Sequence, residues 1–551
     1  MSLRGPLCVL LAGCSPWGTG WPDTPGETAP LPDTADTSSP ADTADTTDTA
    51  DTADTAGPDC EPTGPEEPYD GIDQDCDPTT PDDDLDGDGI GVGADCDDRD
   101  AAVGAEVRCL NRARADLRIE GTVGLHLGSG LFPAGDLDGD GVAELLVGAE
   151  DADSWRGQVL LFSGAALAPG AALLPGDALV MWAGSAEYDS VGGAEEVALL
   201  DGAAVLLACP SADPGGFTNV GEVYLLRVEP ADLDGGTQAA SAAADVRLQG
   251  GSAGDRFGQA LGVADVDGDG LQDVLVGASR DDGGHPEGGV VALFTSLPAA
   301  GTVSVDDADA RLSGAYLEAL GQGVLRAGGD LDGDGRPDLV VAGAGLDDPV
   351  GTNPGRVYLL AGTDVTTGDI AGLAFATLAG GVAGDGFGAT GRSLGDLDGD
   401  GADELVLAAL TGDVVATNGG GLYLWRGGSG LAGNLGPDSA ELAWGSPEGL
   451  ARAGGALEAA DVDRDGALDL LAATPWATGG GRVALLAAAE FDAWQGASLE
   501  DDAALRLGTF EEDAFGSALL ATDLDGAGAL DLAVGAPQAA GGAGGVYGFL
   551  Q

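Results

Sequence analysis

The sequence predicts an all-β protein: a seven-bladed β-propeller behind an acidic stalk and a small Cys/Asp-rich module. Three observations lead there. Short apolar runs of strand length recur from about residue 115 to the end. An acidic turn marks the same place in most units, at gaps of 129, 65, 66, 65 and 62 residues. Glycine makes up 98 of 551 residues, has no triplet period and clusters between the apolar runs, as in a sheet protein with many turns.

Residues 1–14 read as an export signal. Arg4 is its charged element, a brief apolar stretch runs from Leu7 to Ala12, and Gly13 and Cys14 follow. Leu11-Ala12-Gly13-Cys14 resembles the lipobox of bacterial lipoproteins, which implies lipidation of Cys14. Cleavage without lipidation and an unprocessed end are the alternatives. No other segment has the roughly 20 apolar residues of a membrane span. The expectation is an exported chain held by one lipid group at the bacterial cell surface or outer membrane.

Residues 15–59 are low-complexity, with runs such as DTADTTDTADTADTA between Asp33 and Ala56. Like charges and the lack of an apolar face predict a disordered, extended stalk. Residues 60–114 form the Cys/Asp-rich module. Asp84, Asp86 and Asp88 alternate before Gly89, and Asp95, Asp97 and Asp98 add oxygens. Alternating carboxylates before a glycine turn suit one hard cation. Cys60, Cys76, Cys96 and Cys109 suggest two disulfides in an exported chain, with three pairings open. The segment resembles the calcium repeats of thrombospondin type 3 and the metal-binding repeats of secreted myxobacterial proteins. A solvated acidic linker held by disulfides is the alternative.

Residues 115–551 are the propeller. Each unit has a short strand ending near glycine, a Phe-Gly or similar pair, an acidic turn running into an apolar strand, and a glycine-led strand. The pairs are clearest at Phe257-Gly258, Phe387-Gly388 and Phe515-Gly516, with Val191-Gly192, Leu320-Gly321 and Ala453-Gly454 as weaker versions. The first gap spans two periods, and its middle holds AAVLLACPSA (203–212) and GEVYLLR (221–227), a unit without an acidic turn. Such units cannot bury their faces alone, whereas radial stacking buries them and closure protects the edges. ADLRIEG (115–121) resembles ADVRLQG (244–250), yet no unit precedes it. Residues 116–120 are therefore expected to complete the seventh blade and close the ring.

The turns follow D-x-D-x-D-G-x-x-[DE]. Full versions are Asp136, Asp138, Asp140, Glu144; Asp265, Asp267, Asp269, Asp273; Asp330, Asp332, Asp334, Asp338; Asp396, Asp398, Asp400, Glu404; and Asp461, Asp463, Asp465, Asp469. In the seventh unit Ala527 replaces the third carboxylate, leaving Asp523, Asp525 and Asp531. Alternate carboxylates point inward, glycine allows the turn, and the ninth position returns a further carboxylate. Together they offer the six or more hard oxygens of Ca²⁺. Five well-formed sites and one degraded site are expected.

With these motifs in view, the repeat resembles the FG-GAP repeat of the integrin α-subunit propeller and its bacterial relatives. Val147-Gly148-Ala149, Val276-Gly277-Ala278 and Val534-Gly535-Ala536 add the family's strand endings. The resemblance implies calcium loops bracing the lower side of the disc and a partner face opposite.

Function is read more coarsely. The chain has 21 basic residues, all arginine, against 94 acidic ones, a net charge of −73. Such a surface repels nucleic acid, and no zinc motif, nucleotide loop or nucleophile elbow is present. The two histidines, His126 and His285, neither pair nor repeat; His126 reads as strand or turn surface and His285 as a loop residue. Cys209, among apolar neighbours, reads as a buried free thiol. The expected function is a calcium-stabilised binding or adhesion module for an extracellular protein or glycan. A structural surface lipoprotein without a specific ligand is the alternative, and an enzyme acting on extracellular polymer a more remote one. Trp155, Tyr188, Phe217 and Trp476, in or near long connections, are the candidate ligand contacts, and the insert from Ala212 to Val220 could rim that face.

Overall fold

A computed structural model of the chain describes residues 108–111 and 115–550, apart from 194–195, 202–203, 215–217, 234, 345–353, 363–364, 479, 500–502, 504 and 509–512. The signal, the stalk, Cys14, Cys60, Cys76, Cys96, Asp84, Asp86, Asp88, Asp95 and Phe217 lie outside the described residues.

Seven sheets make up the described fold. Each contains four strands, here a to d, paired antiparallel and in chain order except that strand d of blade 7 comes from the start of the described chain. In blade 1 these are Gly130–Pro133, Leu145–Ala149, Gln158–Phe162 and Val180–Ala183. The a strands of most neighbouring blades touch one another, including those of blades 7 and 1, so they line the centre and the ring is closed. The expected closure is present: Leu117–Glu120 pairs antiparallel with Gly545–Phe549 and completes blade 7.

Every sheet also has a fifth strand, which the four-strand repeat did not foretell. It lies parallel to strand d and comes from the c–d connection of the next blade. Thr237–Ala239, between strands c and d of blade 2, lines the edge of blade 1, and Gly301–Ser304 of blade 3 lines blade 2. Arg108–Asn111, just before the closing strand, does the same for blade 6 by pairing with Leu505–Gly508. The compact unit begins at Ala105, so this strand belongs to the propeller and precedes the boundary at 115 read from sequence. Cys109, a disulfide candidate, sits in this strand opposite Arg506.

The core consists of seven apolar layers, each between two successive blades. Strand b alternates between two layers. Leu145 and Val147 face blade 7, whereas Leu146 faces blade 2. Both faces are covered, so the b strands read as continuous apolar runs. Close approach of the blades requires glycine at the head of each c strand. A Cβ at Gly221, Gly289, Gly355, Gly420 or Gly481 would strike the backbone of Phe257, Leu320, Phe387, Ala453 or Phe515 in the following blade.

Candidate metal centres

Each acidic turn joins strand a to strand b, and hydrogen bonds inside it fix its carboxylates. The first aspartate accepts from the sixth-position N–H: Gly141 to Asp136 at 3.0 Å, Gly270 to Asp265 at 3.0 Å, Gly335 to Asp330 at 2.8 Å, Gly401 to Asp396 at 2.9 Å and Gly466 to Asp461 at 3.0 Å. The third position accepts from the fifth, as in Asp140 to Asp138 at 3.0 Å, and the fifth from the seventh, as in Val142 to Asp140 at 2.8 Å. The ninth-position carboxylate reaches back to the second N–H: Val266 to Asp273 at 2.7 Å, Leu331 to Asp338 at 2.8 Å, Leu397 to Glu404 at 2.6 Å and Val462 to Asp469 at 2.9 Å. The fourth and sixth positions take positive φ, 82° and 95° at Gly139 and Gly141. Glycine meets that demand cheaply. Arg464 holds the fourth position in blade 6 at φ 64°.

Carboxylate oxygens are thereby gathered. Asp136, Asp138, Asp140 and Glu144 each offer one oxygen within 4.8 Å of the others. So do Asp265, Asp267 and Asp269; Asp330, Asp332 and Asp338; Asp396, Asp398 and Asp400; and Asp461, Asp463 and Asp465. Asp273, Asp334, Glu404 and Asp469 stand outside those groups. Even so, Asp273 Oδ1 and Glu404 Oε1 are buried without a hydrogen-bond partner, as are Glu144 Oε1, Asp330 Oδ1 and Asp461 Oδ1. A buried acceptor normally finds a donor. Unsatisfied acceptors beside clustered carboxylates fit a hard cation with an oxygen shell, and calcium's flexible coordination suits the irregular ring. The degraded turn of blade 7 keeps the same scaffold, with Gly528 donating to Asp523 at 2.9 Å and Leu524 to Asp531 at 2.9 Å. Its Asp523 Oδ1 is likewise buried without a partner.

Electrostatics agree. Burial, reinforced by Asp138 and Asp136, pushes Glu144 up to about 7. Burial and Asp332 raise Asp338 to about 7, and burial with Asp398 and Asp396 raises Glu404 to about 7. Asp273 and Asp469 are also raised, chiefly by burial. Without a cation each full turn sets a buried ninth-position carboxylate beside several more exposed ones of like charge.

The turns are not equivalent. Blade 2 has a short a–b connection, where Asp201 and Gln272 of blade 3 exchange hydrogen bonds at 2.8 and 3.3 Å. In blade 5 the Arg426 guanidinium pairs with Asp398 and lies over the Phe491 ring at 5.0 Å. In blade 6 Asp469 Oδ1 already accepts from the Ala488 N–H at 2.8 Å.

Antiparallel order places the b–c and d–a connections on the rim opposite these turns. Tyr188 and Trp476 are there, 64% and 36% exposed. Trp476 lies under the Arg452 guanidinium at 5.5 Å. Trp155 is half-buried, with φ 63°. Tyr316, 65% exposed in the same kind of loop, was not singled out from the sequence. Leu127-Gly128, the pair of blade 1, was likewise not singled out; Leu127 bridges Gly544 of blade 7 as other pairs bridge their neighbours. On this rim too, His126 Nδ1 lies 3.2 Å from Asp151, and His285 is exposed in its loop. Cys209 is fully buried and free.

Comparison with known proteins agrees with this geometry. The FG-GAP repeat model matches residues 257–294 and 327–360, within blades 3 and 4. Phosphatidylinositol-glycan-specific phospholipase D of Rattus norvegicus is 34% identical over 166 residues, which span 29% of this chain and 19% of that protein. The chain thus matches about a fifth of the length of this curated relative. The described chain is thus a seven-bladed β-propeller whose third and fourth blades match the FG-GAP repeat.

Proposed function

We propose that the propeller is a calcium-stabilised binding module that recognises an extracellular protein or glycan through the rim opposite its acidic turns. The observation that carries this reading is the exposure of Tyr188, Tyr316 and Trp476 on that rim. Large aromatic side chains held on a rigid scaffold supply contact area at little entropic cost. The cation's part is structural: the carboxylates of the five full turns would hold it, and it would neutralise their mutual repulsion. Export, lipidation at Cys14, pairing among the four clustered cysteines and a further cation at Asp84, Asp86, Asp88 and Asp95 belong to the same reading. They are supported by the sequence motifs. No catalytic role is proposed. The phospholipase is named for its whole length, and the matched part is a fifth of it.

The test is a screen of the exported region against cell-surface glycans and matrix proteins, with calcium and with chelator. A calcium-dependent hit that is lost in Y188A/Y316A/W476A, while the melting temperature is kept, supports the reading. A ligand that binds the triple variant as tightly as the parent overturns the assignment of this rim. No ligand at all would favour the structural alternative.

A further inference from the structure

The turns of blades 4 and 5 are tied together by three hydrogen bonds, one of them made by a side chain. Asp403, at the eighth position of the blade 5 turn, accepts the Asp330 N–H on Oδ2 at 3.1 Å. Its own N–H donates to the Asp330 carbonyl at 2.7 Å. Both backbone groups of the first residue of the blade 4 turn are therefore held by the next blade. A third bond, from the Gly428 N–H to the Leu331 carbonyl at 2.8 Å, adds to the seam. The eighth positions of the other turns are Ala143, Gln272, Pro337, Leu468 and Leu530, none of them a carboxylate. Asp403 directly precedes Glu404, the ninth-position carboxylate of its own turn, and Asp330 carries a buried Oδ1 without a partner.

We infer that Asp403 is a positioning residue that couples cation binding in the blade 4 turn to cation binding in the blade 5 turn. The inference rests on the calcium reading of the turns. A cation held by Asp396, Asp398, Asp400 and Glu404 restrains the backbone of residues 403 and 404. That restraint passes through Asp403 to Asp330 and holds its carboxylate ready for the neighbouring ion. Linkage makes the effect reciprocal: what the blade 5 ion does for blade 4, the blade 4 ion does for blade 5. Asp403 binds no ion itself in this scheme, since its Oδ2 is engaged by the Asp330 N–H and, at 3.5 Å, the Ser393 hydroxyl.

The experiment reads each turn separately, by anomalous scattering from crystals of the full chain equilibrated at graded free calcium. Four proteins are compared: the parent, Asp403→Ala, Asp398→Ala/Asp400→Ala and Asp138→Ala/Asp140→Ala. In Asp403→Ala the free calcium that half-fills the blade 4 turn should rise about fivefold or more, a typical coupling magnitude. The blade 5 double variant should raise it similarly although Asp403 is intact, which also serves if Asp403→Ala fails to fold. The blade 1 double variant should leave it unchanged. Unchanged filling of blade 4 in the blade 5 double variant overturns the coupling while leaving the calcium reading in place. A parent that takes up no ion in any turn overturns both.

Discussion

At the residue scale, the acidic turn works through oxygens arranged in pairs. At Glu144, Asp273, Asp330, Glu404 and Asp461 one oxygen is held by a backbone N–H and the other is buried without a partner. Both oxygens of Asp136, Asp265, Asp396 and Asp469, in contrast, accept backbone N–H groups. Protons compete with a cation for such carboxylates. Glu144 and Glu404 lie at about 7 against an ordinary 4.5, and Asp338 at about 7 against 3.8. Raised values mean that the cation-free fold favours the protonated acids. That stability is complete below the ordinary carboxylate range and is lost as pH rises through about 7. With excess chelator, the melting temperature should fall between about pH 5 and 7.5. With calcium in excess the fall should shrink or reverse, since the ionised acids are the ligands. Thermal melts across that range check this, and a chelated profile that rises with pH would refute it. Arg464 offers a second test. A non-glycine residue in the left-handed region costs about 1 kcal/mol, partly offset by glycine's greater freedom when unfolded. Arg464→Gly should thus raise stability modestly, by about 0.5 kcal/mol, in denaturant titrations with calcium present.

At the element scale, the glycine that opens each c strand sets the spacing of the blades. Gly420→Val would drive a side chain into the Ala453 backbone. It should destabilise the fold by about 1–3 kcal/mol, the usual cost of overpacking, measured as a shift of the unfolding midpoint at constant slope. The same element explains what sequence could and could not reveal. Strands b and c were legible because their runs are continuously apolar and glycine-led, as in DVLVGA at 273–278 and GRVYLL at 355–360. The closing strand was legible because ADLRIEG copies other d strands. The fifth strands were not. Gly368–Asp369 and Ala497–Ser498 are two residues long and lack alternation, and their pairing is set by the neighbouring blade rather than by local pattern. Asp403 escaped notice because an extra carboxylate looks unremarkable in an acidic turn. Its meaning lies in a contact with a residue 73 positions away.

At the scale of the whole molecule, two strands near the beginning of the described chain hold the ring shut. Arg108–Asn111 lines blade 6 and Leu117–Glu120 completes blade 7. Removing residues 1–104 should leave the melting transition unchanged, whereas removing 1–120 should broaden or abolish it and bare two sheet edges to aggregation. Calorimetry and light scattering distinguish the cases, and an unchanged sharp transition after the longer deletion would exclude this role. Five filled turns, each at tenfold excess calcium over its dissociation constant, would add about 7 kcal/mol in total. Chelation should accordingly lower the melting temperature by about 8 °C. The lent fifth strand has one more consequence, for heredity. Because each blade finishes its rim with a piece of its successor, the segment that a gene duplicates and the body it builds are out of step. Excising one full period, wherever it is cut, makes the next blade the lender to the one before and should leave a smaller wheel with every rim intact.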